Sequence, residues 1–564
     1  MENLSRELIV SPQATPIAEI GSLARTLEAE RGGHYVLAWQ EALKAIALRP
    51  FHPEAYIQMA STAVAAGDPE AALAAAQRAL ALTPKWPTAQ QVVKTLERTL
   101  NAHRKQRKKL SHIAWPDLPD LNRKPRLSVC MIVKNEERFL GQCLTSVKDI
   151  ADELIVIDTG STDRTIEIAR QHGAQVGHFE WCDDFAAARN ASITPATGDW
   201  ILFLDADEEL SLAEKQNLPA LLNRNNVALI RLPLINTHLG KSSHAVVPRL
   251  FRNIPTIQFL GCVHEGVYAT VLKVSKEWHI EISLGDLLIL HHGYTPELTA
   301  ERNKIQRNYD LLVKAIEKHS NSSYFYRHLG FELHRMGRTI ESFEAYAKAL
   351  YLIESNPELK ITDEERESLL TQYSGYLLKD RQYEKVLEVL TSDLALRESL
   401  TPGQLLVRTQ ALIQLGQPEH ALRDVKEAYS RRNESTLVPS MINPIGSDLE
   451  MLLAEVLYLN KRFQEAITYF EVIIQKDQPK LQTIFIYSEC LDSVGKIGEA
   501  LEFLHNQALH WENAPEIWVH GLKLLNRNAG LKAVAKDWLT EALSHHPDCP
   551  RLTAFVDLNK NVPV

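Results

Sequence analysis

The chain has 564 residues, of which 45% are hydrophobic and 24% charged, and this composition predicts an ordinary soluble protein of several domains. Its 62 lysines and arginines against 71 acidic residues give a net charge of -9, which argues against nucleic acid as the main ligand. The six cysteines form no C-x-x-C pair, and the sequence contains neither a signal-peptide pattern nor an apolar run of about 18 residues, so we expect a cytoplasmic protein.

A helix-turn-helix pattern of 34 residues, which ends at Pro84, lies within the first hundred residues. Small residues at Ala60 and Ala72 allow two helices to approach closely, and the sequence Gly67-Asp68-Pro69 supplies the turn between them. This segment resembles the tetratricopeptide repeat. Residues 1–100 are therefore predicted to form helical repeats.

Residues 101–125 are basic at first and then punctuated by proline, which predicts a linker or an irregular strap. The basic residues between Arg104 and Lys109 are typical of a solvated helix end. An alternative is contact with anionic lipid, which would place the protein at the inner face of a membrane.

From residue 127 onwards, short apolar runs alternate with a helical pattern. The runs are LSVCMIV, ELIVID and DWILFLDAD, and Phe139, Leu140, Cys143, Leu144 and Val147 form one helical face between the first two. Strands that alternate with helices predict a mostly parallel sheet covered on both faces. Ligands of such sheets bind at the carboxyl ends of the strands.

Polar residues follow each predicted strand at that edge. Asn135 and Glu136 follow the first strand and are candidates for contact with a sugar or a base, and Asp158 ends the second with a carboxylate free to accept from a base imide. The third strand ends in Asp205 and Asp207. If the strand continues through them, both carboxylates point to the same side, as a site for Mg²⁺ or Mn²⁺ requires.

The motifs SVCMIVKNEERFLGQCLTSV, ELIVIDTGSTDRT and FAAARNASITPATGDWILFLDADEEL resemble, in order and spacing, the family 2 glycosyltransferases of the GT-A fold. The resemblance covers about 170 residues and implies a nucleotide-sugar donor, usually a UDP-sugar. It implies that the nucleotide-sugar is held by Asn135, Glu136, Asp158, Arg189 and Asp205. It also implies that Asp205 and Asp207 are the metal-binding pair, with Mn²⁺ or Mg²⁺ as the ion.

Three later motifs, PRLFRN, GCVHEGV and ILHHGYT, resemble a subgroup in which this domain is coupled to tetratricopeptide repeats. The subgroup includes peptide S-glycosyltransferases and enzymes similar to those that decorate lipopolysaccharide cores. The resemblance implies that His291 completes the metal shell, with His292 as the alternative. Family 2 enzymes invert the anomeric centre, which requires a base opposite the leaving diphosphate. Glu265 is predicted to be that base and His264 to orient it.

Helical patterns return after residue 299, with small residues Ala454, Ser488 and Gly521 separated by 34 and 33 residues. They predict divergent tetratricopeptide repeats over residues 299–564. Stacked repeats leave a concave face, which either binds a peptide, a protein or a second subunit or supports the central domain. A homodimer through the repeats is a further expectation.

The predicted fold class is therefore α/β plus all-α, with a glycosyltransferase domain at residues 126–298 between helical repeats. The predicted function is transfer of a sugar from a UDP-sugar to a peptide or protein docked on the repeats. One alternative is a lipopolysaccharide-core or lipid-linked acceptor, and a second is a non-catalytic scaffold with an inert domain. A sugar nucleotidyltransferase is disfavoured, because the loop after the first strand is acidic rather than glycine-rich and basic.

Overall fold

The computed structural model describes residues 8–10, 21–105, 113–211, 213, 215–236, 243–292, 304–356, 359, 361–434, 436, 438, 442, 447–476, 478–511 and 513–560. The chain divides into two compact units, Met1–Ser320 and Asn321–Val564. Two parts of the predicted motifs lie outside the described residues: positions 106–112 of the basic stretch, and the ILHHGYT motif from Gly293 onwards.

Residues 21–105 form five helices: α1 (Ala24–Arg31), α2 (Tyr35–Leu48), α3 (Pro53–Ala65), α4 (Pro69–Leu82) and α5 (Pro87–Lys105). The turn between α3 and α4 forms because Gly67 takes a φ of 80° and the Asp68 carboxylate accepts from the N–H of Ala71 at 3.1 Å. Ala60 and Ala72 are buried, as close packing of the two helices requires. The predicted helix-turn-helix is confirmed.

The strands among the described residues form one mixed sheet: β1 (Leu8–Val10), β2 (Leu127–Val133), β3 (Glu153–Asp158), β4 (Gln175–Phe179), β5 (Trp200–Phe203), β6 (Glu208–Leu210), β7 (Val227–Asn236), β8 (Ser243–Arg252), β9 (Glu281–Leu284) and β10 (Ile289–His291). Their order is β1-β4-β3-β2-β5-β8-β7-β10-β6, with β9 beside β7. Neighbours from β1 to β5 in this order are parallel, whereas β8 is antiparallel to both β5 and β7. The carboxyl ends of β2, β3 and β5 therefore lie at the same edge.

The two faces of the sheet belong to different hydrophobic cores, because neighbouring strand side chains point to opposite faces. Val129 and Met131 pack on one face with α6 (Leu140–Val147), α7 (Thr165–Gln171) and α9 (Leu218–Leu222). Cys130 packs on the other face with α8 (Phe185–Ile193) and α10 (Tyr268–Trp278). That second core also contains side chains from α2 to α5, so the amino-terminal helices and the sheet share one core. The unit ends in α11 (Lys304–Lys318).

The described residues of the second unit are helical: α12 (Ser323–Arg335), α13 (Thr339–Glu354), α14 (Asp363–Lys379), α15 (Tyr383–Leu390), α16 (Asp393–Leu396), α17 (Pro402–Gln414), α18 (Pro418–Ser430), α19 (Ser447–Leu459), α20 (Phe463–Lys476), α21 (Leu481–Ser493), α22 (Ile497–His510), α23 (Pro515–Arg527), α24 (Lys532–His545) and α25 (Pro550–Lys560). The predicted small positions Ala454, Ser488 and Gly521 are buried. A Cβ added to Gly521 would lie 2.3 Å from the Trp538 ring, so only glycine fits where α23 meets α24.

The predicted fold class, an α/β domain combined with helical repeats, is confirmed. The predicted boundaries at residues 100, 125 and 298 stay predictions. Part of the predicted linker is packed, since Trp115 lies 4.7 Å from Trp39 between ring centres and donates to Asp68 Oδ2 at 3.0 Å. None of the helices within the described ranges combines the length and the apolar character needed to cross a bilayer.

Candidate active site

The loops that follow β2 and β3 hold each other at the carboxyl edge of the sheet. Asn135 has a φ of 55°, its N–H donates to Ser161 Oγ at 2.9 Å, and its Oδ1 accepts from the N–H of Thr162 at 2.8 Å. The N–H of Glu136 donates to Thr165 Oγ1 at 2.7 Å. Asn135 and Glu136 therefore lie at the predicted edge, and the role of their side chains toward a nucleotide stays a prediction.

Asp158 closes the turn after β3. Its carboxylate accepts from the N–H of Gly160 at 3.0 Å and from the N–H of Ser161 at 3.1 Å, and the residue is buried. This carboxylate therefore stabilises its own loop. Further lone pairs remain on the two oxygens, and its contact with a nucleoside stays a prediction.

Asp205 and Asp207 lie in the turn between β5 and β6. Because β5 ends at Phe203, the strand alternation that would point both carboxylates to one side does not reach them. Asp205 Oδ1 accepts from Arg189 Nη1 at 2.8 Å, and Asp205 Oδ2 accepts from Arg249 Nη2 at 2.7 Å. Burial alone would raise the pKa of Asp205, but the two guanidinium groups outweigh it and hold the pKa well below its usual range.

Asp207 meets a histidine from another strand. His291 ends β10, and its Nε2 lies 3.4 Å from Asp207 Oδ2. The other ring nitrogen, Nδ1, donates to Asn236 Oδ1 at 2.7 Å, which orients the imidazole. Burial alone would raise the pKa of Asp207, but the contact with His291 outweighs burial and lowers it, so this carboxylate is ionised at neutral pH.

His292 faces away from this pair. Its Nε2 lies 3.0 Å from Glu209 Oε2, and its ring stacks on Phe139 with 6.5 Å between ring centres. Of the four predicted metal residues, the structure brings Asp207 and His291 together. The carboxylate of Asp205 contacts arginines, and the ring of His292 contacts Glu209 instead.

Glu265 lies beside Arg189, which α8 carries. Arg189 Nε donates to Glu265 Oε1 at 2.5 Å, and the Glu265 side chain is 9% exposed. The guanidinium also lies 4.5 Å from the centre of the Phe203 ring. Burial alone would lower the pKa of Arg189, but Asp205 and Glu265 outweigh it and raise the pKa, so the group stays charged. His264 is exposed and has a φ of 57°.

Arg249 and Glu208 complete the site, and the sequence motifs assign no role to Arg249. Arg249 extends from β8, and its Nη2 donates to Glu208 Oε1 at 2.5 Å as well as to Asp205. Glu208 Oε2 in turn accepts from the N–H of Asp205 at 2.9 Å. The signal that could have found Arg249 is a charged residue inside the apolar strand segment AVVPRLF.

The Asp207 and His291 pair has the chemistry of a divalent-cation site. An ionised carboxylate oxygen and an imidazole nitrogen converge, and the second imidazole nitrogen donates to an amide oxygen, as it does in most histidine ligands of metals. No group of three or more histidine, cysteine or acidic side chains in the described ranges has the geometry of a complete metal centre. Asp207 and His291 could hold a divalent cation together with substrate oxygens and water.

Comparison with solved structures finds weak likenesses. Glucosyl-3-phosphoglycerate synthase from Mycobacterium tuberculosis, in complex with Mn²⁺ and UDP-glucose, is 18% identical with a TM-score of 0.25, over 31% of this chain and 74% of that chain.

Curated relatives match part of the chain. A TPR repeat-containing protein of Synechococcus elongatus is 40% identical over 208 residues, which is 36% of this chain and 51% of the relative. The SPbeta prophage-derived glycosyltransferase SunS of Bacillus subtilis is 28% identical over 231 residues, which is 40% of this chain and 53% of the relative. The chain thus spans about half the length of these relatives.

Two family models match separate segments. The model of glycosyl transferase family 2 matches residues 128–261, which include β2 to β8 and the turn with Asp205 and Asp207. The tetratricopeptide repeat model matches residues 407–480, within the second unit. The chain therefore contains a glycosyl transferase family 2 domain joined to tetratricopeptide repeats.

Proposed function

We propose that this chain is an inverting glycosyltransferase that moves a sugar from a UDP-sugar to a peptide or protein side chain, with Mn²⁺ or Mg²⁺ bound at Asp207 and His291. The observation that carries the proposal is the approach of these two side chains to 3.4 Å from separate strands. The two side chains lie at the carboxyl edge of the sheet, and residues 128–261, which form much of this sheet, match family 2. The relative named as a glycosyltransferase supports the same reaction class.

In this proposal the donor binds along the loops after β2, β3 and β5. Asn135, Glu136 and Asp158 hold the nucleoside, and Arg189 faces the diphosphate. A divalent cation at Asp207 and His291 would offset the negative charge that builds on the diphosphate as it leaves.

Glu265 is the proposed base for the acceptor. Its Oε1 accepts from Arg189 Nε, and we assign uptake of the proton to the other oxygen, Oε2. The acceptor oxygen or sulfur forms a bond to the anomeric carbon, the bond from that carbon to the diphosphate breaks, and its electron pair leaves with UDP. His264, exposed on the same loop, is the proposed orienting neighbour of Glu265.

The repeats of the second unit are the proposed docking surface for the acceptor chain. A groove of about 590 Å³ lies there between successive helix pairs. Its lining mixes apolar and polar side chains, including Ile413 and Leu452 with Gln410 and Gln414. Amide side chains along a groove suit the backbone of an extended peptide.

The test is release of UDP from a panel of UDP-sugars by the purified full chain with Mn²⁺. Asp207→Asn keeps the size of the side chain but removes its charge, and we expect turnover to fall by at least about 100-fold, more than the loss of an outer-shell partner of a metal. Asp149→Asn, at an exposed aspartate of the same domain, serves as the control and should retain full activity. Equal activity of wild type and Asp207→Asn would refute the proposed site.

The acceptor is tested separately by mass spectrometry. Lysate proteins and synthetic peptides are treated with the preferred donor, and we expect a sugar mass on a peptide side chain. A sugar found instead on a lipopolysaccharide or lipid-linked fraction would refute the peptide acceptor while leaving the transferase reaction standing. An absence of UDP release with every donor would refute the transferase and favour an inert scaffold.

A further inference from the structure

Five charged side chains form one chain of contacts of alternating sign across the proposed site. In order along the contacts they are Glu265, Arg189, Asp205, Arg249 and Glu208. They come from four separate elements: the loop after residue 260, α8, the turn before β6 with the start of β6, and β8. Neighbours in this chain lie 2.5–2.8 Å apart between nitrogen and oxygen.

Arg249 bridges two carboxylates with a single nitrogen. Its Nη2 donates to both Asp205 and Glu208, while its Nε is buried with no hydrogen-bond partner among the described residues. The side chains of Arg249 and Glu208 are 17% and 2% exposed, so neither charge is well solvated without the other. Loss of Arg249 would leave Asp205 with one arginine and Glu208 with none in the described structure.

We propose that Arg249 is a positioning residue of this site, which rests on the proposed function. It holds Asp205 Oδ2 in place, so that Asp205 Oδ1 can orient Arg189 against Glu265. It acts through Asp205 on both sides of the reaction: on the arginine that faces the diphosphate and on the carboxylate that takes the acceptor proton. By holding Asp205, it also separates this carboxylate from Asp207, which contacts His291.

The position of Arg249 in the sheet explains why this one residue can do so. β8 runs antiparallel to β5, with Leu250 opposite Leu202, so Arg249 lies beside the end of β5 from which the turn with Asp205 emerges. A rigid strand in the middle of the sheet holds a side chain more firmly than a loop does. Asp205 itself lies beyond the last residue of β5 and depends on such contacts for its orientation.

The first variant is Arg249→Gln in the full chain. It removes the charge but keeps an amide NH₂ group that can donate to two oxygens, and we expect kcat for UDP release to fall roughly 10-fold to 100-fold, as for other residues that orient a catalytic group. Arg249→Lys keeps a cation with one donating nitrogen and should recover part of this loss. A role limited to folding would lower the yield of folded protein without changing the kcat of the folded fraction.

The decisive variant is the double substitution Arg249→Gln with Glu208→Gln. It removes the buried carboxylate that the single variant leaves without its cation, so its melting temperature should return toward that of wild type. If Arg249 acts through Asp205, kcat stays low despite the recovered stability. Recovery of both stability and kcat would overturn the proposal, since Arg249 would then only neutralise Glu208.

Arg252→Gln is the matched control from the same strand. Arg252 is also buried, but it packs 4.0 Å from the Trp200 ring centre and donates to the carbonyl oxygens of Arg224 and Val227, away from any carboxylate of the site. This variant should lower the melting temperature and leave kcat unchanged at temperatures where it is folded. A loss of kcat equal to that of Arg249→Gln would overturn the proposal.

The proposed function fails in a different way. A wild-type chain that releases no UDP from any donor and binds no UDP with Mn²⁺ by calorimetry would refute the function and this inference together. An active wild type with an equally active double variant would refute the inference and leave the function standing.

Discussion

At the residue scale, the site separates four acidic side chains that lie within five positions of the sequence. Asp205 contacts two arginines, Asp207 contacts His291, Glu208 contacts Arg249, and Glu209 contacts His292 and Gln142. Each pairing gives its carboxylate a different electrostatic environment. Neighbouring groups of one chemical type are therefore expected to serve different roles.

The two adjacent histidines offer a direct test of the cation site. His291→Ala should weaken Mn²⁺ activation of UDP release and lower activity by roughly 10-fold to 100-fold, because it removes a proposed metal ligand. His292→Ala removes a ring that contacts Glu209 and Phe139, and activity should stay within about 3-fold of wild type. The measurement is a Mn²⁺ titration of both variants. A larger effect from His292→Ala than from His291→Ala would show that His292, and not His291, is the metal ligand.

At the element scale, α8 depends on an arginine from the amino-terminal helices. Arg49, at the end of α2, donates from Nη1 to Ala196 O at 2.6 Å and from Nη2 to Thr194 O at 3.2 Å, just beyond the last residue of α8. A cation at this position satisfies carbonyl groups that the helix leaves unpaired. Burial lowers the pKa of Arg49 to about 10, which still leaves it charged at neutral pH.

Replacement of this cation tests its effect on the site. Arg49→Met keeps the length of the side chain but removes the donor to the partly buried Thr194 O and leaves Ala196 O with Asn253 Nδ2 as its remaining side-chain donor, at a cost of about 1–3 kcal/mol. We expect the melting temperature to fall by about 5 °C or more and hydrogen exchange to accelerate in residues 185–196. Arg25→Met, at an exposed arginine in α1, should change neither. Unchanged exchange in α8 would contradict this account.

A buried histidine makes the same region sensitive to acid. His52 is buried at the start of α3, where its Nε2 lies 2.7 Å from Gly21 O, and burial lowers its pKa to about 4. Between pH 6.5 and 4 the unfolded chain therefore takes up a proton that the folded chain does not. The contribution of His52 to the free energy of unfolding is fully present above pH 6.5. It is lost as the pH falls, and the loss reaches about 3 kcal/mol at pH 4.

The variant His52→Gln should remove this contribution. Its melting temperature at pH 7.5 will be lower than that of wild type, because the packing of the ring is lost. The further decrease between pH 7.5 and pH 5 should be smaller than in wild type by the equivalent of about 2 kcal/mol. If the melting temperatures of the two proteins decrease in parallel with pH, His52 takes up its proton in the folded chain over the same pH range as in the unfolded chain.

At the scale of the whole molecule, the first unit folds around a core that the helices and the sheet share. Trp86 and Trp278 pack with 5.7 Å between ring centres, and Arg252 lies 4.3 Å from the centre of the Phe51 ring. Lys85 and Glu281 form an exposed ion pair, which adds little. Burial of these aromatic side chains is the main stabilising contribution.

This shared core predicts how fragments of the chain behave. Residues 1–320 contain the complete first unit and should give a soluble fragment with a cooperative thermal transition. A fragment that begins at residue 113 lacks α1 to α5 and exposes the apolar face that contains Trp278, so it should aggregate. Expression, circular dichroism and light scattering of the two fragments provide the measurement. A stable monomer from residue 113 onwards would contradict a shared core.

The sequence alone determined the features that depend on local periodicity and turn chemistry. These features are the helix pair around Gly67, the buried strands β2, β3 and β5, and the repeated small positions of the second unit. They follow from residue spacing and from conformations that glycine and proline prefer. The same spacing also located the acidic motif at the edge of a mostly parallel sheet.

Only the tertiary structure decided which of these groups meet. Arg249 reaches Asp205 across 44 residues, and Arg49 reaches Ala196 across 147 residues. His291 turns toward Asp207, whereas His292 turns toward Glu209. Such contacts depend on strand order, register and the direction of single side chains, none of which a local pattern contains.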